Sequence, residues 1–199
     1  MSDLPKKVFL TGVPGSKWSA IAQLIEGLPG TTVSDRSPER REGIGRYHQG
    51  VYFGPEMEFE AVPETVDLAY TDPTAGCMIA KSHHWAYALN DLKEGNCAKE
   101  GNWIVMIYRP DLISYTWWMR AGGFQKITYP DYSWYKNEQK MIREIRRQND
   151  NMLKFAFENN LTWSGFTRSW IKEQFGVAVA EDAKLPPDHD ILVTIYKPT

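Results

Sequence analysis

The chain has 199 residues, a formal charge of −2 at pH 7 and a pI near 6.1. That length supports one α/β domain with a sizeable core, and because no composition shift or low-complexity tract divides the chain, a single domain over residues 1–199 is expected. The balanced charge excludes any general electrostatic reason to bind nucleic acid or an anionic membrane, and Cys77 and Cys97 are too few for a disulfide framework and lack zinc-site spacing.

The N-terminus carries no apolar leader, and no window approaches about 18 unbroken apolar residues, so a soluble, cytoplasmic protein is expected. Val8, Phe9 and Leu10 then form a short apolar run that suits a strand covered on both faces. Gly12, Pro14 and Gly15 break the pattern. From Trp18 onward apolar residues recur at Ile21, Ala22, Ile25 and Leu28, the stripe of a helix. The predicted order is therefore strand, tight loop, helix. At such a helix start the free N–H groups and the positive dipole end face the loop, and Ser16, Lys17 and Ser19 add hydroxyls and a cation there. That is a phosphate site in outline. It is not the common nucleotide loop, because G-x-x-x-x-G-K-[ST] needs wider glycine spacing than Gly12 and Gly15 provide. An ordinary βα turn with a polar helix cap accounts for the same residues.

Thr31 to Ser34 predict a second short strand, and residues 35–50, charged and glycine-rich, predict a loop that covers a substrate or merely connects. Residues 66–70 open a further element. Cys77, Met78, Ile79 and Ala80 form an apolar run that ends in Lys81-Ser82-His83-His84, and ligands of open parallel sheets lie beyond such carboxyl ends. On an extended segment His83 and His84 would face opposite sides. A helix is predicted over residues 85–92. Residues 103–108 are the clearest buried strand and end in Arg109, after which Pro110 reads as the first helical residue and Asp111 belongs to the first turn. That helix carries Ser114 and runs to Gly122-Gly123. Residues 124–135 are aromatic and irregular, the pattern of a lid or acceptor wall. The longest helix is expected over residues 138–159, with Arg143, Arg146 and Arg147 on a solvated face. A further helix over residues 164–175, ended by Gly176, and a last strand over residues 190–196 complete the chain. Aromatics reach 13%, so some are expected to line a pocket or interface.

Three strand ends now carry a loop with Ser16 and Ser19, then Lys81-Ser82-His83, then Arg109 followed by Ser114. That order resembles the sulfotransferases that use 3′-phosphoadenosine 5′-phosphosulfate (PAPS). Their first strand leads into a Pro-Lys/Arg-Ser-Gly-Thr-Thr loop around the 5′-phosphosulfate, matched here by Pro14-Gly15-Ser16-Lys17-Trp18-Ser19. Their Lys-Thr-His carries the catalytic base and is similar to Lys81-Ser82-His83. Their Arg-Asn-Pro-x-Asp stretch leads to Ser-Tyr and holds the 3′-phosphate; it resembles Arg109-Pro110-Asp111-Leu112-Ile113-Ser114-Tyr115. Gly15 stands where the family has its basic residue, Lys17 where it has glycine, and Trp18 replaces a threonine. The likeness covers roughly the first two-thirds of the chain, without the family's C-terminal glycine-rich cofactor segment.

The resemblance implies a three-layer α/β fold of P-loop NTPase-like sulfotransferase type, with a central, mainly parallel sheet flanked by helices. It implies PAPS as donor, the desulfated nucleotide 3′-phosphoadenosine 5′-phosphate (PAP) as product, no metal, and a small-molecule or glycan-type acceptor. His83, Lys81 and Lys17 would be catalytic, with Arg109 and Ser114 on the 3′-phosphate. The chemistry suits these side chains: histidine has an unperturbed pKa of about 6.5, so it can take an acceptor's proton. Lysines and helix-start N–H groups can hold charge on the departing phosphate. Trp18 or one of Trp117 and Trp118 could stack on the base. A P-loop phosphotransferase would instead need a carboxylate for Mg²⁺, for which Asp72 is the candidate, and a non-catalytic nucleotide- or partner-binding domain is the third reading.

Overall fold

The computed structural model describes residues 4–33, 76–126, 137–186 and 189–198. Its elements in chain order are β1 (Lys7–Gly12), α1 (Trp18–Glu26), β2 (Thr31–Val33) and β3 (Cys77–Lys81), then a 3-10 helix (His83–Tyr87), α2 (Leu89–Leu92), a π turn (Lys93–Cys97) and α3 (Ala98–Glu100). After them come β4 (Trp103–Tyr108), α4 (Asp111–Arg120), α5 (Gly123–Lys126), α6 (Glu138–Glu158), β5 (Ser164–Gly165), α7 (Arg168–Phe175) and β6 (Leu192–Tyr196). The predicted element at residues 66–70, the loop at 35–50, Asp72 and most of the aromatic stretch 124–135 fall outside the described residues.

The strands form one mixed open sheet in the order β2-β3-β1-β4-β6-β5. β2, β3, β1 and β4 run parallel, while β6 is antiparallel to β4 and β5 to β6. Both faces are covered, which is why β1 and β4 read as unbroken apolar runs. The strand alternation sorts their side chains. Val8, Leu10, Val105 and Ile107 pack with Ile21 and Ile25 of α1 and Trp170 and Ile171 of α7; Phe9, Ile104 and Met106 pack with Trp85 and with Met141, Ile145 and Met152 of α6. The result is three layers, helix on sheet on helix. Each fully buried side chain of this size stabilises the fold by roughly 1.5–3 kcal/mol. Most of the tryptophans serve this core: Trp18, Trp85, Trp103, Trp118 and Trp170 are all buried.

Four expectations need correction. His83 and His84 do not continue an extended segment, because the Ser82 hydroxyl accepts the His84 N–H at 3.0 Å and starts a 3-10 helix at His83. The helical region expected over residues 85–92 runs on through the π turn and α3 to Glu100, where Gly101 at φ 70° ends it. Residues 164–175 are not one helix: Ser164–Gly165 pairs with β6, and α7 begins only after Thr167, whose side chain caps it by accepting the Trp170 N–H at 3.1 Å. Such a cap is worth about 1 kcal/mol and out-competes helix over the preceding residues. Pro110 lies just outside α4, with ψ 139°, not inside its first turn. Gly176, in the left-handed region, closes α7 where expected. The solvated face of α6 is also as expected, Arg146 and Arg147 being exposed and paired with Asp111 and Glu144.

Candidate functional site

The path of the chain creates a crevice between β1 and β4. From β1 it leaves through α1 on one face toward β2, whereas from β4 it leaves through α4 and α6 toward β6, with α6 on the other face. Ligands of open α/β sheets bind where strand connections diverge in this way. At this point the end of β1 carries Gly12 to Lys17, the end of β3 carries Lys81 to His83, and the end of β4 carries Arg109.

The loop is a tight turn followed by a reversal. Val13, Pro14, Gly15 and Ser16 carry the signature of a type II turn, with proline second, a positive φ of 80° at Gly15, and the Ser16 N–H donating to the Val13 carbonyl at 3.0 Å. Lys17 is also left-handed, at φ 62°, with Ser16 between the two on the ordinary side. A non-glycine residue there is uncommon, and alternating handedness over successive residues gathers N–H groups into a concave anion nest. The Lys17 carbonyl then accepts the Ala20 and Ile21 N–H groups, so α1 starts directly from the reversal and adds the N–H groups of its first turn. Pro14 and Ser16 are buried, and Ser16 Oγ is buried without a hydrogen-bond partner, an unmet polar group in the wall of the loop. Of Ser19 only the backbone is described.

Both loop glycines are required by close approach. A Cβ on Gly12 would lie 2.8 Å from Ser16 Oγ and from Trp18 Cβ; one on Gly15 would lie 1.9 Å from the Ser114 carbonyl oxygen, a backbone atom of α4 that cannot swing away. Gly15→Ala should therefore cost on the order of 2–4 kcal/mol, from the clash and from the positive φ together. Denaturant unfolding measures it, and a change under about 0.5 kcal/mol would mean that the loop does not rest on α4.

His83 is buried beside this loop. Its Nδ1 lies 2.5 Å from the Gly12 carbonyl, which can only accept, so Nδ1 bears the proton and the lone pair of the neutral ring is on Nε2. The Thr11 hydroxyl donates to the His83 carbonyl at 3.3 Å, and the Trp18 indole meets the imidazole edge to face with centroids 4.5 Å apart. His84 is buried on another side, against Tyr87 at 6.0 Å, and burial lowers its pKa to about 4. Tyr87 in turn donates to Glu144 of α6, which docks the 3-10 helix. Lys81, fully buried, is the last residue of β3 and stands opposite Leu10.

On the other side of the loop Arg109 is buried and held in place. Nε and Nη2 donate to the two carboxylate oxygens of Asp190 at 2.9 and 3.1 Å, while Nη1 donates to the Gly15 carbonyl at 3.2 Å. Burial pushes the Asp190 carboxyl up, but the hydrogen bonds and charge of Arg109, with Lys17 beside them, outweigh this and hold it below the usual value. Ser114, also buried, donates to the Arg109 carbonyl at 3.2 Å, and Asn149 donates to the same oxygen at 2.9 Å. Trp18 and Trp118 are buried, and the Trp117 face carries cations, so none of the three presents a bare indole face for a base.

The predicted residues of the loop, His83, Arg109 and Ser114 thus converge. Asp190 and Asn149 were missed. Asp190 reads as the first residue of a strand but ends the turn before β6; Asn149 had a visible signal, since it interrupts the apolar stripe of α6 between Ile145 and Met152. Among the described residues no group of three His, Cys, Asp or Glu side chains converges, and no helix is long and apolar enough to cross a membrane. Burial raises both cysteine thiols to about 12, which leaves them inert. Comparison with family models, with characterised proteins and with solved structures finds no match to the chain.

Proposed function

We propose that the protein is a sulfotransferase that moves a sulfuryl group from PAPS to a hydroxyl or amine of a small-molecule or glycan acceptor, on a P-loop-like version of the three-layer α/β fold. The observation that carries this reading is the contact between a buried histidine and an anion-shaped loop: His83 Nδ1 is bonded to the carbonyl of Gly12, at the base of that loop. The loop fits an anion on two counts, the reversed handedness at Gly15 and Lys17 and the unmet Ser16 hydroxyl buried in its wall. When bound, PAPS supplies a sulfuryl group already joined to a phosphate leaving group.

The roles of the residues follow from where they sit. Gly15 to Ser19 and the first turn of α1 hold the 5′-phosphosulfate through backbone N–H groups and hydroxyls. Lys17 and Lys81 balance charge on the departing phosphate. Arg109 at the end of β4 and Ser114 in the first turns of α4 stand where the 3′-phosphate would lie. His83, with Nδ1 fixed as donor, takes the acceptor's proton at Nε2. A base oriented through its second nitrogen spends no conformational freedom at the moment of transfer. Such a base beside an anion loop favours group transfer over simple nucleotide binding.

The test is calorimetric titration with PAP in the presence of a chelator. Binding of micromolar or tighter affinity without metal is expected. Binding that appears only on adding Mg²⁺ would favour a phosphotransferase, and no binding at all would remove the sulfotransferase reading.

A further inference from the structure

The Trp117 ring is the meeting point of three cations that come from three different parts of the chain. Lys17 Nζ lies 4.1 Å from its centroid, Arg109 Cζ 5.1 Å and Arg120 Cζ 5.5 Å. Lys17 belongs to the loop, Arg109 to the end of β4 and Arg120 to the last turn of α4, one turn beyond Trp117 itself. Like charges gathered so closely repel, and two features offset that. Asp190 accepts both hydrogen bonds of its Arg109 pair, and the negative face of an indole attracts cations, more strongly than that of any other side chain. Among the described side chains named here, three cations share one carboxylate, Asp190.

The geometry points to Trp117 as the positioning residue of the anion site: its indole holds Lys17 in the reversed backbone conformation and groups it with Arg109 and Arg120 as one cationic rim for a phosphate-bearing ligand. This rests on the sulfotransferase reading only for the identity of the ligand, because the rim itself is set by the ring. Lys17 carries the cost of a left-handed φ of 62°, and the indole contact is a force that keeps it there. Trp117 is only half-buried, so replacing it leaves the core intact.

The experiment has two arms, each with Trp117→Leu and Trp117→Phe. In the first, without ligand, the side-chain CH₂ protons of Lys17 are observed by NMR. A ring-current upfield shift is expected in the wild type, kept in part by Trp117→Phe and lost in Trp117→Leu. An unshifted Lys17 in the wild type overturns the proposal whatever the ligand is. In the second arm, PAP and inorganic pyrophosphate are titrated at several salt concentrations. Trp117→Leu should weaken both by roughly five- to thirtyfold and flatten the salt dependence, while Trp117→Phe stays within about threefold of the wild type. Unchanged affinity in Trp117→Leu would overturn the proposal. Pyrophosphate binding that depends on Trp117, with PAP no better than pyrophosphate, would uphold the rim and count against the sulfotransferase reading alone.

Discussion

His83→Ala is expected to leave PAP affinity nearly unchanged while cutting sulfuryl transfer by about 10²–10⁴-fold, the usual contribution of a positioned general base. Binding should survive because the anion contacts lie in the loop and helix start, while the imidazole meets the Gly12 carbonyl and the Trp18 ring. Chemistry should not, because the substitution removes the ring nitrogen that takes the acceptor's proton. His84→Ala is the control. Successive residues of a 3-10 helix point about 120° apart, and His84 packs against Tyr87, neutral at working pH because its pKa is lowered to about 4. Its loss should lower stability and spare transfer. The measurement uses a labelled sulfuryl donor and a panel of phenols, alcohols, amines and sugars. Wild-type rates in the His83 variant would sink its role as base; PAP binding with no transfer to any acceptor in the wild type would favour a binding domain.

Arg109→Ala should weaken PAP by roughly 2–5 kcal/mol, the cost of truncating one partner of a buried, hydrogen-bonded charge pair. Two losses combine in that figure. The Gly15 carbonyl and Asp190 lose their donor, which loosens the loop, and any contact with the 3′-phosphate disappears. Adenosine 5′-phosphosulfate, which lacks the 3′-phosphate, separates them: it should weaken less than PAP, and the excess measures the 3′ contact. Equal losses would show Arg109 acting only through the loop. The pair also sets a pH dependence. Because the Asp190 carboxyl is held below its ordinary 3.8, the stability it contributes is fully present above that value and is lost as pH falls through the lowered one. The stability difference between wild type and Asp190→Asn should therefore be constant at neutral pH and close on acidification below about pH 4.

How far the sequence determined this protein depends on the range over which each feature is fixed. The strand, loop and helix from Lys7 to Glu26 were legible because local rules decide them: an unbroken apolar run, proline and glycine at turn positions, and a 3.6-residue stripe. So were β4, α6 with its exposed arginines, and the polar strand ends at Lys81 and Arg109. The sequence could not say that Ser82 would cap a 3-10 helix and turn His83 onto the Gly12 carbonyl, because a serine before a histidine pair fits an extended strand end equally well. Nor could it give β5, whose two residues form a strand only because β6 lies beside them. The remaining features pair residues distant in the chain. Arg109 meets Asp190 only because β6 returns antiparallel beside β4, and Trp117 meets Lys17 only because α4 packs against Gly15. Periodicity describes which face a side chain takes on its own element; which charge lies opposite is decided by the packing of elements separated by most of the chain.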